Sequence, residues 1–209
     1  MIELFSADTP NGKKISIMLE EINFNYKVTK VNLSEGEQFN PEFRKISPFS
    51  KIPVIIDHDN KKESIFESGA ILMYLGEKSN KFYDKENRLK INQWLMGQMG
   101  YVGPMIGQHH QFHHYNSGKS EFGEKRYFNI AKSIYHDLDD RDQFKPEFIK
   151  ISPFSKIPVI IDHDNNESIF ESGAILMYLG EKSGKLYDQS DRLKTVSYTH
   201  LTLPTILLV

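Results

Sequence analysis

This 209-residue chain predicts an α/β unit of order βαβαββα, an all-helical segment after it, and then a partial repeat of the α/β unit. Three observations predict it. Short apolar runs broken by turn residues alternate with helically spaced apolar positions in the first part of the chain, whereas from about Asn87 the spacing is helical throughout. Residues 38–90 then recur at 143–194 with one deletion and eight substitutions. The recurring block starts inside a folding unit, without a first strand or first helix. Two copies, the second lacking its first strand and first helix, do not make a repeat array, which needs about three whole supersecondary units.

Each element follows in order. Ile2, Leu4 and Phe5 make a short strand, and Asp8-Thr9-Pro10-Asn11-Gly12 ends it with turn chemistry. Ile15, Met18, Leu19 and Ile22 predict a helix over 13–22, and Tyr26 to Val31 reads as the second strand. After Gly36 a turn of helix is expected from Pro41 to Ile46, then an apolar strand over Ile52-Pro53-Val54-Ile55-Ile56. Asp57 to Asn60 turns the chain, Ser64 to Phe66 returns antiparallel, and Ser68 is read as the cap of a helix bearing Ile71, Leu72 and Leu75. A long helix carries Leu89, Trp94, Leu95, Val102 and Met105, with Gly100, Gly103 and Pro104 interrupting it. Another, over about 121–138, puts Tyr127, Ile130, Ala131, Ile134 and Leu138 on one face. These two helices present more apolar surface than they can cover for each other. The expected divisions are 1–84, 85–141, 142–194 and 195–209.

Composition excludes several classes. With 39% hydrophobic and 26% charged residues the chain reads as globular and soluble. Its 26 basic residues against 28 acidic ones give a net charge of −2, too little field to hold nucleic acid or an anionic membrane. The start, MIELFSADTP, lacks a basic region followed by an apolar run, so a cytoplasmic protein is expected. No cysteine is present, which removes disulfides, thiolate metal sites and any thiol of the protein's own. After Lys194 the segment TVSYTHLTLPTILLV continues no earlier pattern. Its apolar end is far shorter than the roughly 20 residues a membrane span needs. VSYTHLTLPT resembles a translated sequencing-library adapter, so the chain reads as truncated and chimeric, the alternative being a genuine tandem duplication.

Thr9-Pro10-Asn11-Gly12, Gln38-Phe39, Ile46-Ser47-Pro48, Lys51-Ile52-Pro53, Phe66-Glu67-Ser68-Gly69-Ala70, Gly103-Pro104-Met105 and Gly107-Gln108 together resemble the nu class of the glutathione transferase family, the bacterial disulfide-bond oxidoreductases. The resemblance runs over 1–141 and returns over 143–194. It implies a thioredoxin-like first domain, an all-helical second domain, glutathione as co-substrate without a metal, reduction of small disulfides or hydroperoxides, and a homodimer in the intact family member. It also implies residue roles. Thr9 and Asn11 become the pair that stabilises the thiolate. Ile52 and a cis Pro53 align the cysteinyl amide, Ser68 takes the γ-glutamyl carboxylate and Glu67 its ammonium group. Gln38, Lys51 and Arg126 are further contacts, Lys51 to the glycyl carboxylate.

The chemistry is consistent with the residue types. A thiol with a pKa of about 8.5 is mostly protonated at neutral pH, and the thiolate is the nucleophile. A hydroxyl and free N–H groups at a helix start favour that anion. Taken alone, the Thr9 segment reads better as a turn with an N-cap, Glu67-Ser68 equally as a plain cap, Gln38 and Lys51 better as solvated surface, and Arg126 at least as well as an exposed helical arginine. The joint occurrence of the motifs reverses the odds for Thr9 and Asn11. His109, His110, His113 and His114 pair at i, i+4, but with no carboxylate or cysteine nearby they are not expected to hold a metal. The second copy repeats Ile157-Pro158 and Glu171-Ser172 without a counterpart of Thr9 or Asn11. Alternatives are conjugation of glutathione to electrophiles, a non-catalytic module of this fold, or a mis-assembled fragment without function.

Overall fold

The computed structural model describes residues 1–139 and 158–184, with the backbone alone for 136–139. The expected side-chain role of Leu138, the Ile157 half of the second Ile-Pro pair, and the tail therefore lie outside the described residues. Met1–Asn87 forms one compact unit, and the described residues from Arg88 onward belong to a second.

In the first unit the chain runs β1 (Ile2–Ser6), α1 (Pro10–Glu21), β2 (Tyr26–Lys30), a 3₁₀ turn (Glu37–Phe39), α2 (Pro41–Ile46), β3 (Val54–Asp57), β4 (Glu63–Phe66) and α3 (Ser68–Ser79). This is the βαβαββα order, and it is thioredoxin-like. The sheet order is β2-β1-β3-β4, with β1 parallel to β2 and antiparallel to β3, and β3 antiparallel to β4. Alternation in β1 sends Ile2 and Leu4 to the face where α1 and α3 pack. There Ile15, Met18, Leu19 and Ile22 of the α1 segment meet Ala70, Ile71 and Leu75 of α3. Each such side chain contributes about 1.5–3 kcal/mol on burial. On the opposite face Val31, Phe43 and Val54 form a smaller core, with Phe5 edge-on to Phe43.

Two boundaries differ from the sequence expectation. Helix α1 begins at Pro10 rather than Lys13, because proline at the first position has its φ preset and Thr9 caps the turn behind it. Strand β3 begins at Val54, since Pro53 has no N–H to give the ladder. Gly12, buried at the third position of α1, lets the helix start close against the end of β1. A Cβ there would lie 2.5 Å from the Ala7 carbonyl oxygen and would also strike Ser6 Oγ. Gly12→Ala is therefore expected to lower stability by about 1–3 kcal/mol, seen as a reduced urea midpoint by circular dichroism. An unchanged midpoint would contradict this close approach.

The second unit holds α4 (Arg88–Gly97), a π turn (Gln98–Val102), α5 (Gly103–His110), a second π turn (Gln111–Tyr115) and α6 (Glu121–Asp139). The interruption expected near Gly100 to Pro104 is this first π turn. Ala131 and Ile134 on α6 are buried, and Gly123 allows Phe112 to stack on Tyr127 with ring centroids 5.3 Å apart. Phe122, Phe128 and Tyr135 remain exposed. The repeat then folds as β5 (Val159–Asp162), β6 (Glu167–Phe170) and α7 (Ser172–Ser183), element for element like β3, β4 and α3. Gln93 on α4 accepts from the Phe170 N–H at 2.9 Å, and Trp94 packs edge-on to the Phe170 ring.

Candidate functional site

The strand registers gather the candidate residues at one end of the first sheet. Phe5 pairs with Val54 and Val54 with Phe66, so the C-terminal end of β1, the N-terminal end of β3 and the C-terminal end of β4 coincide. Thr9 follows the first, Ile52-Pro53 precedes the second, and Glu67-Ser68 follows the third. Two helices, α1 and α3, begin at this same end. Their positive termini favour anions there.

Thr9 stands in extended backbone as the N-cap of α1, and its Oγ1 accepts from the Gly12 N–H at 3.1 Å. A hydroxyl that accepts in this way still has its own proton to donate outward. Asn11 is exposed at the second helical position. The Ile52-Pro53 peptide is cis, with Ile52 half-buried and Lys51 exposed beside it. Ser47 braces this turn, its hydroxyl donating to the Lys51 carbonyl at 2.7 Å and accepting from the Lys51 N–H at 3.0 Å.

At the start of α3 the structure corrects the expected cap. Glu67, not Ser68, occupies the cap position, and no side chain caps the helix there. Glu67 adopts φ 69°, a conformation L-residues rarely hold and one that Glu171 repeats at 66° in the second copy. Ser68, the first helical residue, is 3% exposed, and its Oγ accepts from Lys14 Nζ at 3.2 Å. Sequence reasoning passed over Lys14. Burial pushes the Glu67 carboxyl above the ordinary carboxylate range, while the positive charges of Lys14 and Lys51 pull it back. Burial likewise lowers the Lys14 ammonium, and Glu67 opposes that. A half-buried carboxylate held against its desolvation cost is a receptor for a further cation.

Gln38 lies in the 3₁₀ turn, its amide nitrogen 3.5 Å from the Leu33 carbonyl and its Oε1 buried with no partner. Arg126 is exposed on α6 of the second unit and is not among the residues the sheet registers bring together. His109 stacks on His113 at 5.0 Å, and the His110 and His114 rings tilt against each other at 4.4 Å. Burial, then the neighbouring imidazoles, lowers the His109 pKa. Among the described residues no group of three or more histidines and acids could hold a metal, and no helix is long and apolar enough to cross a membrane.

The residues present suit glutathione: a donor hydroxyl at a helix start for sulfur, a buried carboxylate for an ammonium, a second helix start for a carboxylate. Comparison with known proteins points the same way. The pattern of the glutathione S-transferase N-terminal domain family matches residues 2–77 and again 131–181. The disulfide-bond oxidoreductase YfcG of Escherichia coli is 44% identical over 152 residues, which are 70% of this chain and 71% of that protein. A glutathione transferase from Burkholderia graminis, solved with two glutathione molecules per subunit, superposes with a TM-score of 0.63 at 38% identity. It covers 67% of this chain, which spans 61% of it. A glutathione transferase from Pseudomonas putida, solved with one glutathione disulfide per subunit, gives a TM-score of 0.62 at 31% identity over 96% of this chain and 85% of its own.

Proposed function

This chain belongs to the glutathione S-transferase family, and from that premise we propose that it uses a glutathione thiolate to reduce small disulfides or hydroperoxides. The observation that carries the reading is the meeting of Thr9, Ile52-Pro53 and Glu67-Ser68 at one sheet end in a chain without cysteine. With no thiol of its own, the protein can only position sulfur that arrives with a ligand.

The roles follow from the groups. Thr9 donates its hydroxyl proton to the glutathione sulfur while Asn11 and the start of α1 add positive potential, so the sulfur is held as an anion. That thiolate attacks one sulfur of a disulfide RSSR, forms the mixed disulfide and expels RS⁻. A second glutathione thiolate then attacks the mixed disulfide, giving glutathione disulfide and the second RS⁻. Ile52 aligns the peptide backbone, Ser68 and the α3 start take the γ-glutamyl carboxylate, and Glu67 takes the ammonium. Gln38, Lys51 and Arg126 complete the contacts, Lys51 at the glycyl carboxylate. A cytoplasmic setting, where the glutathione pool is reduced, and a homodimer of the family type belong to the same proposal. So do a glutathione-binding domain over 1–84, a truncated helical domain over 85–141, a partial duplicate over 142–194 and a non-native tail over 195–209. Sequencing the source gene without interruption across Arg141 and Lys194 tests the chimeric reading, which a continuous natural transcript would overturn.

The test of function is glutathione-dependent reduction of a small disulfide by the full chain, alongside capture on immobilised glutathione. Retention and a rate above the uncatalysed exchange are expected. Loss of both in a cooperatively folded chain would overturn the reading. A pH dependence separates the role of Glu67 from simple packing. Its carboxyl is raised in the free protein, and a bound ammonium would lower it again, so affinity is full above the free-state pKa and falls as pH drops through it. Calorimetric titration with glutathione should show this loss as pH falls through the raised Glu67 pKa in the parent and a flat profile in Glu67→Gln. A parallel decline in both would remove Glu67 from the ligand.

A further inference from the structure

The same ββα sequence occurs twice, once covered and once open. In the first copy β1 pairs antiparallel along the outer edge of β3, and α1 packs beside α3. No strand among the described residues takes the place of β1 in the second copy: β5 and β6 form a sheet of two strands only. The side of α7 that would receive a counterpart of α1 is open as well, and burial records the difference. Leu75 is fully buried, whereas Leu179, its counterpart, is 41% exposed; Leu176, the counterpart of the part-buried Leu72, is 40% exposed. Ile160 on β5 is only half-buried, whereas Ile55, its counterpart, is fully buried.

We propose that this open face is a self-association surface, on which β5 and α7 of one chain meet β5 and α7 of a second copy about a two-fold axis. The first copy shows what the face accepts: an antiparallel strand, and a helix lying on the same side of the sheet. A second β5–α7 supplies both. A two-fold axis between identical edge strands makes them antiparallel, and the partner's helix then lies against α7 as α1 lies against α3. Ile160 comes opposite Ile160 of the partner subunit, on the sheet face that α7 covers, and Leu176 and Leu179 of the two helices pack together. Asp162 brings no lone charge to the seam, because Tyr178 and Lys182 both donate to its carboxylate. A β1–α1 segment exchanged from another molecule fits the same face less well as occupant. It would strip one sheet of a central strand to complete another, with no net apolar burial. An uncovered edge strand is also what proteins otherwise avoid.

The experiment compares the mass in solution of the full chain and of its L176K/L179K variant by sedimentation equilibrium over a range of concentrations. Both leucines are exposed, so the variant should keep the parent's circular dichroism and urea midpoint while its mass is half the parent's. Equal masses for the two would overturn the proposal and assign any association to another surface. A second measurement does not depend on that variant. In a chain without native cysteine, Leu179→Cys should form a disulfide-linked dimer on mild oxidation, and Leu33→Cys, exposed in the first unit, should not. Equal cross-linking at both positions would overturn the inference. So would a Leu179→Cys monomer whose introduced thiol resists thiol reagents, since the chain itself would then cover the face.

Discussion

Thr9→Ala is expected to lower glutathione-dependent turnover about tenfold at neutral pH, with only a modest loss of glutathione affinity. The size follows from ionisation. Only a few per cent of a free thiol is anionic at pH 7, so full ionisation of the bound sulfur raises the nucleophile's concentration by about 30-fold. Part of that gain is returned, because a less basic thiolate is also less nucleophilic. The sign of the pH effect separates chemistry from structure. If Thr9 depresses the thiol pKa, the variant's rate profile moves up toward the free value of about 8.5, and the deficit shrinks as pH rises past it. Loss of the helix cap alone, about 0.5–2 kcal/mol of stability, would leave the profile in place. Thr9→Ser keeps the hydroxyl and should restore both rate and profile, and the thiolate absorbance of bound glutathione reports the ionisation directly. A Thr9→Ala protein with the parent's rate and profile would take Thr9 out of the reaction.

The elements were legible where local chemistry sets them. The apolar run of Ile2, Leu4 and Phe5 and helical spacing from Ile15 to Ile22 marked the opening βαβ, and Pro41 marked α2, whose cap Asn40, with no signal read for it, accepts from the Glu42 N–H at 3.0 Å. What sequence could not show was set by packing. Ser68 looks like a cap because serine before an apolar helix usually is one, but the turn out of β4 puts Glu67 at φ 69° and leaves Ser68 inside the first turn. Lys14 carries no local signal. It neighbours the buried Ile15 one turn into α1, and only the packing of α1 on α3 brings its ammonium to Ser68. The resemblance named the glutathione contacts, yet the coupling of Glu67 to Lys14 and Lys51 needed the fold. Identity between the two copies does not fix the surroundings, since Leu75 is buried and its counterpart Leu179 is exposed.

The largest stability effect is expected at Asp57. This residue ends β3 with no exposed surface, and burial alone would push its carboxyl up. The donors prevail: Lys78 and Tyr74 both reach Oδ2, the Asp59 N–H reaches Oδ1 at 3.0 Å, and the carboxyl is held below its ordinary value. Asp57→Ala strands those donors, and removing one member of a buried ion pair costs about 3–5 kcal/mol. Because the folded pKa is depressed, the stabilisation is complete above the unfolded value of about 3.9 and is lost as pH falls through the folded one. The deficit of the variant should therefore be large at pH 7 and shrink below about pH 4. Asp162 provides an internal control, with the same Tyr178 and Lys182 partners and a pKa of about 2. Lys182 also reaches Asp164 at 2.9 Å and stays well exposed, so Asp162→Ala leaves its donors in water and should move the urea midpoint less. Amide exchange in the β1 and β3 peptides distinguishes the two: Asp57→Ala should accelerate it and Asp162→Ala should not. Equal acceleration by both would mean that the buried carboxylate does not anchor the first sheet.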